Sequence, residues 1–268
     1  MRSWLLLLAA MIWLQTATAQ YAPQVGLSGC MALADTSMLF EGWATQCTVI
    51  RGYMNIADTS LGLASAGVDT NALGPPDDNT VSLGDSGMAV VSFFSAIYDA
   101  DGPDFAVFEN GFMNPDNDTQ AFLELGFVEV SSDSIHFIRF PSASLTQTHT
   151  QITNDDYLYA NQLNNLAGNY VAWYGTPFDL QELADSPNLD ISNVRWVRII
   201  DVVGDITGHT TRDANGRAIN DPFPTPFPSC GFDLDAVGAI HQKVRAAVTN
   251  VANDLNISLY PNPVSNIL

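Results

Sequence analysis

Phe122-Leu-Glu-Leu-Gly-Phe-Val-Glu-Val130 is apolar on both alternating sets of positions apart from Glu124 and Glu129. No other stretch constrains the fold as much. Apolar residues on one alternating set describe a strand half-exposed to water, whereas apolar residues on both describe a strand covered, or nearly covered, on both faces. The neighbouring segments carry matching punctuation. Phe105-Ala-Val-Phe108 is a short apolar run between Gly102-Pro103 and Asn110-Gly111, which marks a strand. Ser131-Ser-Asp-Ser134 is turn chemistry and returns the chain into a strand over Ile135–Phe140. Met88–Phe94, Val194–Val203 and Phe232–Ile240 are further runs of β-forming residues. Together they predict an all-β fold, an antiparallel β-sandwich with long loops and one short helix. That helix is expected over Thr176–Leu183, with Thr176 as its cap and Pro177 in the first helical position.

The Val194–Val203 strand is apolar on both faces but carries charge. Arg198 lies among Val194, Trp196, Ile200 and Val202, and Arg195 and Asp201 lie with Val197, Ile199 and Val203. Charges on so apolar a strand need partners if buried. Glu124 and Glu129 are the expected partners of Arg195 and Arg198.

The ends read differently. Arg2, an apolar run over Leu5–Leu14 and Ala17-Thr-Ala19 make a signal peptide at 1–19, with a mature, unlipidated N-terminus at Gln20. That run is too short to span a bilayer, and no later segment would span one. The expected organisation is then a β-sandwich domain at 20–242, whose first part (20–58) is an irregular wrap, a linker at 243–256, and a new strand pattern at 257–268. Cys30, Cys47 and Cys230 are the three cysteines. In an oxidising compartment two of them are expected to pair, and Cys30 with Cys47 would staple the irregular N-terminal segment. Spacing alone does not fix this connectivity.

Nine Lys and Arg stand against 29 Asp and Glu, a net charge of −20. Such a surface repels phosphate backbones and anionic membranes, so nucleic acid is excluded as a partner. Acids can instead hold calcium, a hard cation that takes oxygen ligands. Asp213, Asn215, Asn220 and Asp221 lie on one loop with a central glycine, a spacing that suits either calcium or plain turn formation. Asp99, Asp101, Asp104, Glu109 and Asn110 form the second candidate, with the same two readings. Four histidines without ligand spacing and the absence of a Gly-x-Ser-x-Gly elbow give little support to an enzyme. A pair such as Glu109 and Glu129 would suit glycoside hydrolysis only at a separation that sequence does not show. Trp173, Tyr174 and Tyr159 lie with Tyr157 and Tyr170 in the irregular stretch. They read either as anchors of long loops or as a platform on which sugars stack.

Two resemblances add to this. Ile257-Ser-Leu-Tyr-Pro-Asn-Pro-Val-Ser-Asn266 resembles the opening of the type A C-terminal sorting domain of the Bacteroidetes type IX secretion system. It implies type IX secretion machinery as a partner and a secreted or cell-surface address. Ala72-Leu-Gly-Pro-Pro-Asp77, Gly102-Pro-Asp-Phe-Ala-Val-Phe-Glu-Asn110, Phe127-Val-Glu-Val-Ser-Ser132 and Phe232-Asp-Leu-Asp-Ala-Val237 are similar to a family of bacterial cell-surface proteins. That similarity implies a galactose-binding-like jelly roll of the kind that binds carbohydrate, often with structural calcium. The expected function is a calcium-stabilised, glycan-binding surface module. The alternatives are an adhesive protein that binds another surface protein, and a module that captures a small cofactor beside an outer-membrane transporter.

Overall fold

A computed structural model describes residues 21–243. The expected signal peptide, nearly all of the expected linker and the Tyr260-Pro-Asn-Pro263 segment lie outside the described residues. The fold is an all-β antiparallel sandwich, and among the described residues no helix reaches seven residues. One sheet runs in the order Leu33–Ala34, Tyr174–Phe178, Phe105–Glu109, Asp233–Ala239, Gly42–Trp43, with Val81–Ser82 also paired to Asp233–Ala239. The second runs Ile138–Arg139, Gly126–Ser131, Val194–Asp201, Met88–Ile97, Gln46–Ile50, with Leu166–Ala167 on Gly126–Ser131. No helix is long and apolar enough to cross a membrane among the described residues.

The main core lies between the sheets. Phe105, Val107, Phe178, Leu234 and Val237 face Val91, Val128, Val130, Val197 and Ile199. Two smaller clusters explain why the central strands are apolar on both faces. Outside the first sheet, Ala106, Phe108 and Ala236 are roofed by Leu33, Phe40 and Trp43 of the N-terminal segment. Outside the second, Phe127 packs with Leu123, Leu125, Ile152, Leu158 and Leu163 from the long loops. Leu33, Phe40 and Trp43 of the N-terminal segment thus pack on the outer face of the first sheet, and the segment also forms strands. Gln46–Ile50 is a full edge strand, with side chains alternating between solvent and core.

Three expectations are corrected. Thr176–Leu183 is not a helix: Tyr174–Phe178 is a strand paired with Phe105–Glu109, and only Leu180–Leu183 forms a 3₁₀ turn. Asp179, not Thr176, caps that turn by accepting from Gln181 N at 2.9 Å. Burial of Gly175, Thr176 and Phe178 against the neighbouring strand outweighs the local capping signal. Phe122–Val130 is not one strand either. Asn117–Phe122 pairs back on Phe112–Asn114 as a hairpin, Leu123–Leu125 is a link, and the sheet strand begins at Gly126. Finally, the Cys30–Cys47 bridge is absent and all three cysteines are free thiols. Cys30 Sγ accepts from Ala32 N in the N-terminal segment. Cys47 sits on the Gln46–Ile50 strand against the core, where burial pushes its thiol up to about 12.

The charged partners of Val194–Asp201 are half as expected. A register shift between Val194 and Trp196 places Val194, Val197, Ile199 and Asp201 inward. Arg198 Nε donates to Glu129 Oε2 at 2.6 Å, and Arg139 Nε donates to Glu129 Oε1 at 2.8 Å. Arg195 instead donates to Phe94 O at 2.9 Å. Glu124 has no arginine and lies among other acids.

Candidate functional site

The strand pairing Phe178↔Phe105 brings Asp179 beside Asp104. Asp99, Asp104 and Asp179 each offer a carboxylate oxygen, and these oxygens lie within 4.8 Å of one another. Asp104 is fully buried and already occupied by protein donors. Its Oδ1 accepts from Ala100 N at 3.0 Å and contacts His241 Nδ1 at 2.7 Å, and its Oδ2 accepts from Leu180 N at 2.7 Å. Burial raises the Asp104 carboxyl above its ordinary value, while His241 and the backbone donors oppose the shift. Asp99 Oδ1 is shielded from solvent and has no partner. Three carboxylates with one unpaired oxygen suit a hard cation in chemistry and spacing.

The predicted acid set is thereby split. Asp104 joins Asp99 and Asp179, Asp101 is exposed on the turn, and Glu109 lies at the far end of its strand in another cluster. Asp179 is the member that sequence reasoning missed, because it sits 75 positions after Asp104 and only strand register brings it there.

The 213–221 loop is used differently from the expectation. Asp213 Oδ1 accepts from Asn215 N and Arg217 N, and Oδ2 accepts from Ser144 N. Asn220 Oδ1 accepts from Ile152 N, and its Nδ2 donates to Gln147 O and Thr150 O. Asn215 is exposed. These groups fasten the loop to its neighbours. Of the four predicted ligands, only Asp221 keeps a buried, unpartnered oxygen, Oδ1.

The aromatic candidates do not form one platform. Trp173 is exposed at a positive φ of 70°, and its carbonyl accepts from Asp35 N. Tyr174 lies in register with Ala34. Tyr159 lines a separate recess with Tyr157 and Gln162.

A cleft of about 920 Å³ lies beside the Asp99–Asp104–Asp179 group instead. Its walls include Tyr21, Pro23, Met31, Asn161, Asn164, Asn165, Asn169, Asp179 and Glu182. Asn165 Nδ2 donates to Glu182 Oε2 at 2.6 Å, which ties the two walls. Asn169 is 5% exposed and its Oδ1 has no partner. A concave, Asn-rich wall with both donors and acceptors, edged by tyrosine and proline faces, suits a polyhydroxylated ligand. No family model matches the chain, and no curated protein proves similar to it.

Proposed function

We propose that the protein is a secreted or cell-surface binding module that takes a glycan in the Asn-rich cleft. The observation that carries this reading is the cleft's lining: four asparagine amides, Asp179 and Glu182 converge in one concavity with Tyr21. An amide carries both donor and acceptor groups, the pairing that vicinal hydroxyls need; at Asn165 the Nδ2 donors are already taken by Pro141 O and Glu182 Oε2, so that amide offers its oxygen. Calcium at Asp99, Asp104 and Asp179 would hold the Gly102–Pro103 turn, which forms part of the same wall. Export by the type IX machinery rests on the sequence resemblance alone.

A glycan array probed with the unaltered protein tests the reading. Asn164→Ala and Tyr21→Ala, both at partly exposed positions, are expected to weaken any glycan retained by about tenfold or more, or roughly 1.4 kcal/mol each. Their melting temperatures should stay near that of the parent. If the parent retains no glycan, or if both variants bind as tightly as the parent, the cleft is not the site. A partner protein or a small cofactor then becomes the better reading.

A further inference from the structure

The large cleft is uniform in the sign of its charge. Among the described residues that line it there is no Lys, Arg or His, whereas Asp179 and Glu182 both face it. Asp179 is half-buried, and Glu182 is held in place by Asn165 Nδ2 on its Oε2 at 2.6 Å. Burial raises the Glu182 carboxyl, Asn165 opposes the shift, and the charge of Asp179 adds to it, so the two carboxylates feel one another. Beside Asp179 stand Asp99 and Asp104, whose oxygens lie within 4.8 Å of it. His241, the basic group on Asp104, is bonded to Oδ1 at 2.7 Å and does not line the cleft. A calcium ion on Asp99, Asp104 and Asp179 would not reverse the sign, since three carboxylates outweigh its charge and Glu182 adds a fourth.

The hydrogen-bonding groups of the wall lean the same way, toward acceptors. Asn169 is the buried one among the lining asparagines, and its Oδ1 has no partner. Its backbone is pinned on both sides. Asn169 N donates to Thr176 Oγ1 at 3.2 Å, and its carbonyl accepts from Gln24 Nε2 at 3.5 Å. The residue is therefore fixed in the wall, and the bare acceptor is a cost that an entering O–H or N–H would remove. A turn about χ2, a broad torsion in asparagine, can present the oxygen to the cleft. Asn165 has spent its Nδ2 on Pro141 O and Glu182 Oε2 and offers only its oxygen. Asp179 and Glu182, when ionised, accept and do not donate. A ligand that matches this wall has to bring donors. Hydroxyl, amide and ammonium groups do so, whereas carboxylate and sulfate groups only accept.

We propose that the cleft selects its glycan by charge: it takes sugar units that carry hydroxyl, N-acetyl or ammonium donors, and it rejects units that carry carboxylate or sulfate. This selection rests on the glycan reading of the same cleft. The field and the excess of acceptors are separate observations, and both oppose an anion. A uronic acid or a sulfated sugar would meet Asp179 and Glu182 with no cation among the described lining residues to bridge them. Its anionic group would also leave the Asn169 oxygen bare. Juxtaposed like charges are a strong means of excluding wrong ligands, and a cleft concentrates the field that does it. An ammonium on the sugar has the reverse effect, since it donates and is attracted to both acids.

Matched pairs of oligosaccharides test this on the full chain at about pH 6, where carboxylates are ionised and amines protonated. The pairs are an unsulfated and a sulfated galactan fragment, a methyl-esterified and a free oligogalacturonide, and an N-acetylated and a de-N-acetylated chitooligosaccharide. The sulfated and free-acid members should bind about tenfold or more weaker than their uncharged partners. The free amine should bind at least as tightly as its acetylated partner. Raising salt from about 0.05 M to about 0.5 M should shrink the gap between uncharged and anionic members, because exposed charges are screened. Glu182→Gln, at an exposed position, should narrow that gap about threefold or more. If the parent retains no member of any pair, or if Tyr21→Ala leaves every retained member as tightly bound, the glycan reading fails and the selection falls with it. If uncharged members are retained through Tyr21 but anionic ones bind as tightly, or if neither salt nor Glu182→Gln moves the gap, the glycan reading stands and the selection by charge alone is overturned.

Discussion

In chelator, the protein is expected to melt higher at about pH 5 than at about pH 7.5. Burial, opposed by a bond from Ile56 N, moves the Asp85 carboxyl from 3.8 to about 6. Burial, opposed first by the Ser82 hydroxyl and then by Asn110 and Arg51, does the same to Asp233. Burial also holds Glu109, Glu124, Asp201 and Asp221 well above their ordinary values, and the neighbouring acids reinforce it. A carboxyl whose folded value lies above its unfolded value binds a proton more tightly in the folded state. Its contribution is fully present below the unfolded value and is lost as pH rises through the folded one. Asp85 and Asp233 place that loss between about pH 4 and pH 6. For Asp233 alone the whole shift corresponds to roughly 3 kcal/mol, of which the part lost above pH 5 is roughly 1.4 kcal/mol, or on the order of 3–6 °C in a domain of this size. Asp133, held low first by its bond to His136, acts in the opposite sense only below its ordinary 3.8. Scanning calorimetry across this range in chelator measures the effect. A melting temperature that is level or rises from pH 5 to pH 7.5 would show that the buried acids ionise without destabilising the fold.

The fold was legible because its central strands carry an unusual signal, apolar residues on both faces, and the structure supplies a cover for each. Where sequence reasoning missed, long-range pairing had overridden a local pattern. Thr176-Pro177 reads as a helix start, yet the register Pro177↔Ala106 makes it strand. Gln46–Ile50 carries too weak an alternation to declare itself before its partner Met88–Ile97 is known. The acids show the same limit from the other side. Asp213 and Asn220 look like ion ligands by spacing but are taken up by local backbone donors. Glu124, assigned to an arginine from its strand pattern, belongs with Glu109 and Asp233. Which carboxylates remain unpaired depends on contacts between segments about 100 residues apart, and spacing along the chain does not encode them.

Phe105→Ala is expected to cost about 3–5 kcal/mol, the range for emptying a fully packed aromatic site. Phe105 is wholly buried and stacks on Phe178 with centroids 5.3 Å apart. Phe140, which follows the edge strand of the opposite sheet, meets Phe105 edge-on at 5.9 Å and Phe178 at 5.0 Å. The three rings touch pairwise and join the layers at one end of the sandwich, and removing the Phe105 ring leaves a gap beside the Phe140–Phe178 contact. The melting temperature should fall by roughly 10 °C or more. Phe105→Leu, which keeps much of the volume, should cost less than half as much, and Met38→Ala, at a fully exposed position, should change stability by less than about 0.5 kcal/mol. Urea denaturation separates the outcomes: the midpoint should drop for Phe105→Ala while the slope stays that of the parent. Since Asp104 precedes Phe105 and holds Leu180 N, the gap should also loosen the Asp99–Asp104–Asp179 group, so calcium should stabilise this variant less than it stabilises Met38→Ala. A loss under about 1 kcal/mol would mean that the sheets close over the missing ring and that Phe105 is not needed to join them at this end.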